Sequence, residues 1–234
     1  MAVKKEIYIK VTKDGPYLVF GSPTIRQEII TPNEEGSSWE YTKGKVYKTD
    51  QAPVALCRCG RSKTKPFCDG CHEKKGFDGT ETAPIKPILE SAKEYKGVNY
   101  TLFDNELYCA FARFCDAFGQ VWNFIQNGDA LSDRVARHEA CACSSGRLML
   151  KDNKTGQFIE PDFEPSIGVL EDPAIECSGP LHAKGGIGVI SEDGKSYEVR
   201  NRQTLCRCGC SHNKPFCDGT HAAIQFSDKK TKHK

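Results

Sequence analysis

Hydrophobic and polar positions alternate at both ends of the chain. Residues 7–20 predict two short strands about a turn at residues 14–16, and residues 25–30 and 39–47 predict two more strands. The alternation returns near the C-terminus, where the segment SGPL at residues 178–181 echoes residues 14–17 ahead of the strand-like runs GGIGVI and SYEVRN. The pattern therefore predicts two β-rich ends that resemble each other.

The middle of the chain has a different pattern. Residues 88–95 and 104–118 have helical composition with acidic starts, and Ser132-Asp133 offers a helix N-cap ahead of RVARHEACAC. Two short runs at residues 147–150 and 157–159 flank a turn and predict a hairpin. This segment is predicted to be mainly helical.

Proline-rich stretches separate the three parts, which gives predicted units at residues 1–86, 87–163 and 164–234. The predicted fold class is α+β: two small β-rich units in a pseudo-symmetric arrangement, joined by a mainly helical central insert.

Composition limits what can hold these units together. Only 38% of the 234 residues are hydrophobic, and 21 Gly with 12 Pro indicate a loop-rich chain that needs stapling by something besides apolar burial. The net charge of +2 gives no case for nucleic acid, and the basic run at residues 229–234 is interpreted as a solvated tail. Residues 1–11 lack the apolar run of a signal peptide or membrane span, so a soluble cytoplasmic protein without membrane contact is expected.

The 13 cysteines do not form the pattern of a disulfide framework. CRCGRSKTKPFCDGCH at residues 57–72 returns as CRCGCSHNKPFCDGTH at residues 206–221. We call these the first and second motifs. Three thiolates and one imidazole within each motif are the donors of a single metal centre, either zinc or an iron-sulfur cluster.

Both motifs resemble the CDGSH iron-sulfur domain family, whose pattern C-x-C-x2-S/T-x3-P-x-C-D-G-S/A/T-H they meet at nearly every position. The resemblance, closest to soluble prokaryotic-type members, implies two [2Fe-2S] clusters. It also implies these ligands: Cys57, Cys59, Cys68, His72, Cys206, Cys208, Cys217 and His221. A pair of zinc sites, each with three cysteines and one histidine, is the alternative, although C-x-C spacing favours iron.

Six further motif residues are predicted to support the clusters. The aspartates suit a helix N-cap, the prolines fix the backbone before the third ligand, and the serines are placed to donate hydrogen bonds to sulfur. They are Ser62, Pro66, Asp69, Ser211, Pro215 and Asp218. Cys71 and Cys210 depart from the family pattern. The alternatives are that they are additional ligands, redox-sensing thiols or tolerated small residues.

Four cysteines lie in the middle segment, in the frames YCAFARFCDAF and EACACSSGRL. Cys109 and Cys115 would diverge on a regular helix unless the backbone breaks between them. The C-x5-C frame followed by CSSGRL resembles a divergent single-cluster ferredoxin domain, with Ser144 in place of the family's proline. That resemblance implies a third cluster, [3Fe-4S] or [4Fe-4S], on Cys109, Cys115 and Cys141 or Cys143, whereas buried core cysteines are the alternative. His138 and Cys177 are interpreted as structural.

These features predict an iron-sulfur protein that transfers electrons or senses redox state. A donor of iron or clusters for assembly and repair is the first alternative, and a zinc-stapled interaction module is the second. No nucleophile with a base, paired carboxylates, phosphate loop or nucleotide fingerprint is found, so the protein is not expected to be an enzyme. Its expected partner is a redox protein, a reductase or an apo acceptor of a cluster. Because family members with one motif form homodimers, a monomer with an internal pseudo-dimer is expected, or a homodimer.

Overall fold

The computed structural model describes residues 6–228 and has three β-sheets with few, mostly short helices. The first repeat contains β1 (Tyr8–Val11), β2 (Tyr17–Phe20), β3 (Thr24–Pro32), β4 (Ser38–Val46), β5 (Val54–Leu56) and the single-turn helix α1 (Cys71–Lys74). The middle contains β6 (Lys93–Lys96), β7 (Tyr100–Asp104), α2 (Val121–Asn127), α3 (Ala130–Ala142), β8 (Leu148–Asp152) and β9 (Phe158–Ile159). The second repeat contains β10 (Ser166–Asp172), β11 (Cys177–Lys184), β12 (Gly188–Ile190), β13 (Arg202–Leu205) and α4 (Thr220–Ala223).

The two repeats build two sheets by exchanging strands. One sheet has the order β12-β1-β2-β5 and the other β13-β11-β10-β3-β4. β12 pairs in parallel with β1 of the other repeat, and β3 pairs in parallel with β10 in the same way. Each sheet therefore takes one or more strands from the opposite repeat, and the two repeats are related by a pseudo-twofold arrangement.

The same symmetry appears in two buried arginines. Arg58 Nε donates to the carbonyl of Gly15 at 2.8 Å, and Arg207 Nε donates to the carbonyl of Gly179 at 2.8 Å. The echo between residues 14–17 and 178–181 is thus a structural equivalence. Alternate strand residues from both repeats, such as Ile9 and Val169, face one common apolar core.

The middle segment is a four-stranded antiparallel sheet, in the order β6-β7-β8-β9, with α2 and α3 packed on it. Helices were expected over residues 88–95 and 104–118, and both expectations are wrong apart from short 3₁₀ turns. In β7, burial alternates with period two, and Tyr100 and Leu102 face inward. Around residue 112, Phe111 and Arg113 adopt left-handed φ of 53° and 64°, which interrupts any helix.

Two local predictions in the middle segment are confirmed. The hairpin forms between β8 and β9, where the Asp152 carboxylate accepts the N–H of Thr155 at 2.7 Å. A helix covers RVARHEACA, but its N-cap is Asp129, which accepts the N–H groups of Leu131 and Ser132. It therefore begins ahead of Ser132-Asp133.

Within residues 6–228, no helix combines the length and the apolar character needed to cross a membrane. The basic run at residues 229–234 lies outside the described residues.

Candidate metal centres

Each motif folds as a tight loop that returns to the strand before it. In the first motif, Cys57 N–H donates to Pro66 O at 2.8 Å and Cys68 N–H donates to Ala55 O at 2.9 Å. The same two bonds occur in the second motif, from Cys206 to the residue-215 carbonyl at 2.8 Å and from residue 217 back to β13 at 2.9 Å. These bonds place the third cysteine beside the C-x-C pair, although eight residues separate them in the chain.

The donor atoms of each motif form two close pairs. Cys57 Sγ lies 3.8 Å from Cys59 Sγ, and Cys68 Sγ lies 3.4 Å from His72 Nδ1. The equivalent pairs in the second motif are 3.8 Å and 3.3 Å apart. Two thiolates that bind one tetrahedral metal at about 2.3 Å lie about 3.8 Å apart, and a thiolate with an imidazole lies about 3.5 Å apart. Each pair is therefore spaced to share one metal atom.

Over the described part of the chain, no three His, Cys, Asp or Glu side chains are arranged to hold a single metal ion.

The predicted supporting aspartates brace the loops. Asp69 accepts the N–H groups of Lys63 at 2.8 Å and Cys71 at 3.1 Å. The Lys63 N–H bond is the main reason that the pKa of Asp69 falls to about 2. Asp218 accepts the equivalent two bonds in the second motif. The N-cap position of α1 is held by Gly70 in a left-handed conformation, one residue after Asp69, but the Asp69 carboxylate accepts the N–H of Cys71, the first residue of α1, as predicted.

The serine hydroxyls do not donate to sulfur. Ser62 Oγ donates to Phe67 O at 2.7 Å, and Ser211 Oγ donates to Phe216 O at 2.7 Å. Glycine N–H groups approach the third cysteines instead, from Gly70 to Cys68 Sγ at 3.5 Å and from residue 219 to Cys217 Sγ at 3.4 Å. Each serine hydroxyl therefore binds the carbonyl of the residue before the third cysteine and stabilises the loop, and it is not directed at a sulfur atom. Pro66 and Pro215 both follow cis peptide bonds.

The two motifs touch each other through glycines that sequence reasoning missed. A Cβ on Gly60 would collide with the carbonyl of Cys208, and one on Gly209 would lie 2.7 Å from the carbonyl oxygen of Cys59. Both glycines have positive φ, 73° and 83°. The glycine that follows C-x-C in both motifs was the available signal.

Tyr17 of the first repeat also supports the second motif. Its buried hydroxyl lies 2.9 Å from the carbonyl oxygen of Cys206 and 2.8 Å from that of Pro215, and donates its proton to this pair. The two motifs are therefore neighbours that share backbone and side-chain contacts.

The insert covers the second motif but leaves the first open. A Cβ on Gly219 would lie 3.0 Å from Cys109 O and 3.3 Å from Phe111 Cβ, whereas no described residue lies within 4 Å of a Cβ on Gly70. The side chain of His72 is 14% exposed, while His221 is buried. Burial lowers the pKa of His221 to about 4, so its imidazole is neutral and able to ligate.

Three of the four central cysteines line one cavity. Cys109, Cys115 and Cys143 line a cavity of about 30 Å³ that is partly open to solvent. The left-handed residues between Cys109 and Cys115 supply the backbone break that their spacing requires. Cys141 is not among the lining residues, and its Sγ faces Ile159 O at 3.8 Å. Of Cys141 and Cys143, only Cys143 therefore lines this cavity together with Cys109 and Cys115.

An arginine that is paired with an aspartate lies beside this cavity. Arg147 lines it and donates to Asp104 Oδ2 at 2.7 Å. Burial, followed by the nearby Cys143 and Cys109, raises the pKa of Cys115 to about 12. Cys115 and Cys143 also pack against the apolar core of the insert, so the core-cysteine alternative describes their surroundings as well.

Arg202 fastens the insert to the second repeat, which the sequence did not indicate. The buried guanidinium donates to the carbonyl oxygens of Ala140, Cys141 and Cys143 at 2.7–2.9 Å and forms a bidentate pair with Glu160. An arginine directly after the predicted strand SYEVRN was the available signal.

The remaining cysteines have varied surroundings. Cys71 Sγ lies 3.9 Å from Cys59 Sγ, and exposed Cys210 places its Sγ 3.7 Å from Cys208 O. Cys177 is buried and donates to backbone carbonyls. His138 Nε2 donates to Trp39 O at 2.9 Å, in keeping with a structural role.

Comparison with known proteins agrees with this geometry. The family model described as iron-binding zinc finger CDGSH type matches residues 14–73 and 178–222, which contain the two motifs. No curated protein and no solved structure matches the chain.

Proposed function

Because the chain carries two CDGSH-type iron-binding domains, we propose that it holds one [2Fe-2S] cluster in each domain and acts in electron transfer or redox sensing. The family itself implies iron-sulfur binding. A bound cluster would supply a one-electron redox centre. The protein would then be a carrier rather than an enzyme, and its partner a redox protein or a reductase.

The spacing of the donor pairs carries this proposal. Two separate pairs, each with the distance expected for two ligands of one metal, suit a cluster of two metal atoms. A mononuclear zinc site instead requires all four donors around one point. The first iron of each cluster would bind the C-x-C thiolates, and the second would bind the third cysteine and the histidine.

Iron and acid-labile sulfide per chain test the proposal. Two clusters predict about four of each, and Cys68→Ser and Cys217→Ser should each remove about two iron and two sulfide. Zinc without sulfide would overturn it in favour of the zinc-stapled module. Reversible reduction without loss of iron would then support a redox role.

A second candidate function is delivery of a cluster to an apo acceptor. It is favoured by the partial exposure of His72, whose side chain is 14% exposed, because an imidazole that solvent reaches is a ligand that an acceptor thiolate can replace. Incubation with an apo-ferredoxin should then move iron from the first motif, while the buried second motif keeps its iron. Retention at both motifs would contradict delivery.

We also propose that Cys109, Cys115 and Cys143 hold a third iron-sulfur cluster. Three thiolates around one cavity, beside the ion pair of Arg147 with Asp104, are a suitable donor set. The donors would suit a [3Fe-4S] cluster, or a [4Fe-4S] cluster with a fourth ligand from outside this set.

Two matched serine variants test the third site. Cys115→Ser should lower iron per chain and remove one electron paramagnetic resonance signal, whereas Cys141→Ser should change neither. Equal iron in wild type and Cys115→Ser would assign these residues to the apolar core alone.

A further inference from the structure

The two motifs have the same backbone conformation but differ in the residues that cover them. In the second motif, Asn213 Nδ2 donates to Leu107 O at 2.8 Å, and Cys109 O approaches Gly219. The equivalent positions of the first motif are Thr64, which is exposed, and Gly70, where a Cβ would have no described contact within 4 Å. A partner can therefore come closer to the donors of the first motif than to those of the second.

The open motif is also the cationic one. Besides the buried Arg58, five cationic side chains lie in the first motif and the turn after it, and we call them the cationic face: Arg61, Lys63, Lys65, Lys74 and Lys75. All are exposed except Lys65, which is half-buried.

Hydrogen bonds hold parts of this face in place. The Arg61 guanidinium donates to Lys75 O, and Lys65 Nζ donates to Ser62 O at 2.7 Å. The acidic residues within the same stretch are Asp69, whose carboxylate is taken up by backbone N–H groups, and Glu73. The first motif and the turn after it therefore carry an excess of positive charge, although the carboxylate of Glu73 lies 4.0 Å from the His72 ring.

The second motif shows that this charge is not needed for folding. At four of the five cationic positions the second motif carries an uncharged or weakly basic residue: Cys210, His212, Ala223 and Ile224. Only Lys214 matches. The two loops make the same backbone hydrogen bonds although their charges differ. The loop conformation therefore does not depend on the five cationic side chains.

We propose that the cationic face is the docking surface for an acidic protein that exchanges electrons, or a cluster, with the first motif; this rests on the proposed function. Charge complementarity increases the association rate of such encounters and orients the partner. The acidic Asp69 and Glu73 interrupt the face, and the whole chain carries only +2. Discrete carboxylates of a protein suit such a surface better than the continuous charge of a nucleic acid.

The test uses the iron-loaded full chain with an acidic plant-type ferredoxin as the probe. The rate of electron exchange is measured by stopped flow at several ionic strengths. The triple variant Lys63→Glu, Lys74→Glu, Lys75→Glu is compared with the control Lys43→Glu, Lys154→Glu, which reverses exposed charges on β4 and on the β8–β9 turn.

We expect the triple variant to slow exchange with ferredoxin by about tenfold or more at low salt and to abolish the salt dependence. The control should change the rate less than about twofold, and exchange with basic cytochrome c should become faster in the triple variant. Equal rates in triple and control variants would overturn the proposal.

Two further measurements separate the outcomes. Binding of anionic phospholipid vesicles or of a single-stranded oligonucleotide that is lost in the triple variant, with ferredoxin exchange unaffected, would also overturn it. Iron content is measured in the same samples. Iron present without charge dependence refutes the docking surface alone, whereas absence of iron refutes the proposed function.

Discussion

Replacing Gly219 with alanine should destabilise the protein more than the same change at Gly70. Both glycines precede the ligand histidine's helix and have left-handed φ, 86° and 77°. A non-glycine residue in that conformation costs about 1–2 kcal/mol, partly offset by about 0.4–1 kcal/mol from the restricted unfolded chain. Gly70→Ala should therefore lower the free energy of unfolding by about 1 kcal/mol.

Gly219→Ala carries an additional penalty from the insert. The new Cβ would lie 3.0 Å from Cys109 O and 3.3 Å from Phe111 Cβ, so the loop must shift. Overpacking of this kind costs about 1–3 kcal/mol, which gives a total of about 2–4 kcal/mol.

Urea unfolding of iron-loaded protein measures both losses, with iron per chain checked in each sample. Hydrogen exchange of the amides at residues 109–111 should increase in the Gly219 variant only. If the two variants lose the same stability, the insert does not hold the second motif as described.

Three other changes probe the contacts between parts of the chain. Gly60→Ala should lower the free energy of unfolding by about 3 kcal/mol or more, because its Cβ would collide with the Cys208 carbonyl; a near-neutral urea midpoint would contradict the contact between motifs. Arg202→Met should lower the free energy of unfolding by about 3 kcal/mol, because it removes the hydrogen bonds of a buried guanidinium to Glu160 and to the carbonyls of residues 140–143; calorimetry showing an unchanged melting temperature would argue against the fastening role. Burial raises the pKa of Glu139 to about 7, so the stability it contributes is present below about pH 4.5 and is lost as pH rises through about 7. Glu139→Gln should therefore raise the unfolding free energy by about 2–3 kcal/mol at pH 8 and little at pH 5; an equal gain at both pH values would contradict this.

Local signals predicted the local parts of the fold. The donor spacing of each motif lies within sixteen residues, and the hairpin after β8 is fixed by a turn in which Asp152 binds backbone N–H groups. The exchange of β3 and β12 between the repeats could not be predicted from local signals, because β1 and β12 are far apart in the chain. A short strand with alternating hydrophobic residues can pair with many other strands. The expected helix over residues 104–118 failed because composition does not report the left-handed turns at Phe111 and Arg113.

The asymmetry of the two motifs was likewise beyond the sequence. The motifs differ little in their donors, and the cover over the second comes from residues 107–111, about a hundred positions earlier. The central cysteines were found as candidates, but only the folded chain separates Cys141 from the three that share a cavity. A helical wheel cannot make that distinction when the backbone between two of the cysteines is not helical.

The contacts between the three donor sets also fix their order in space. The first motif meets the second at Gly60 and Gly209, and the second meets the insert where Gly219 faces Cys109, which itself lines the cysteine cavity. The second motif therefore lies between the other two. If each donor set held a cluster, as proposed, an electron delivered at the first motif would have to pass the second motif before it could reach the insert. Loss of the second motif's iron, as in Cys217→Ser, should then isolate the insert from an external partner while leaving the first motif reducible.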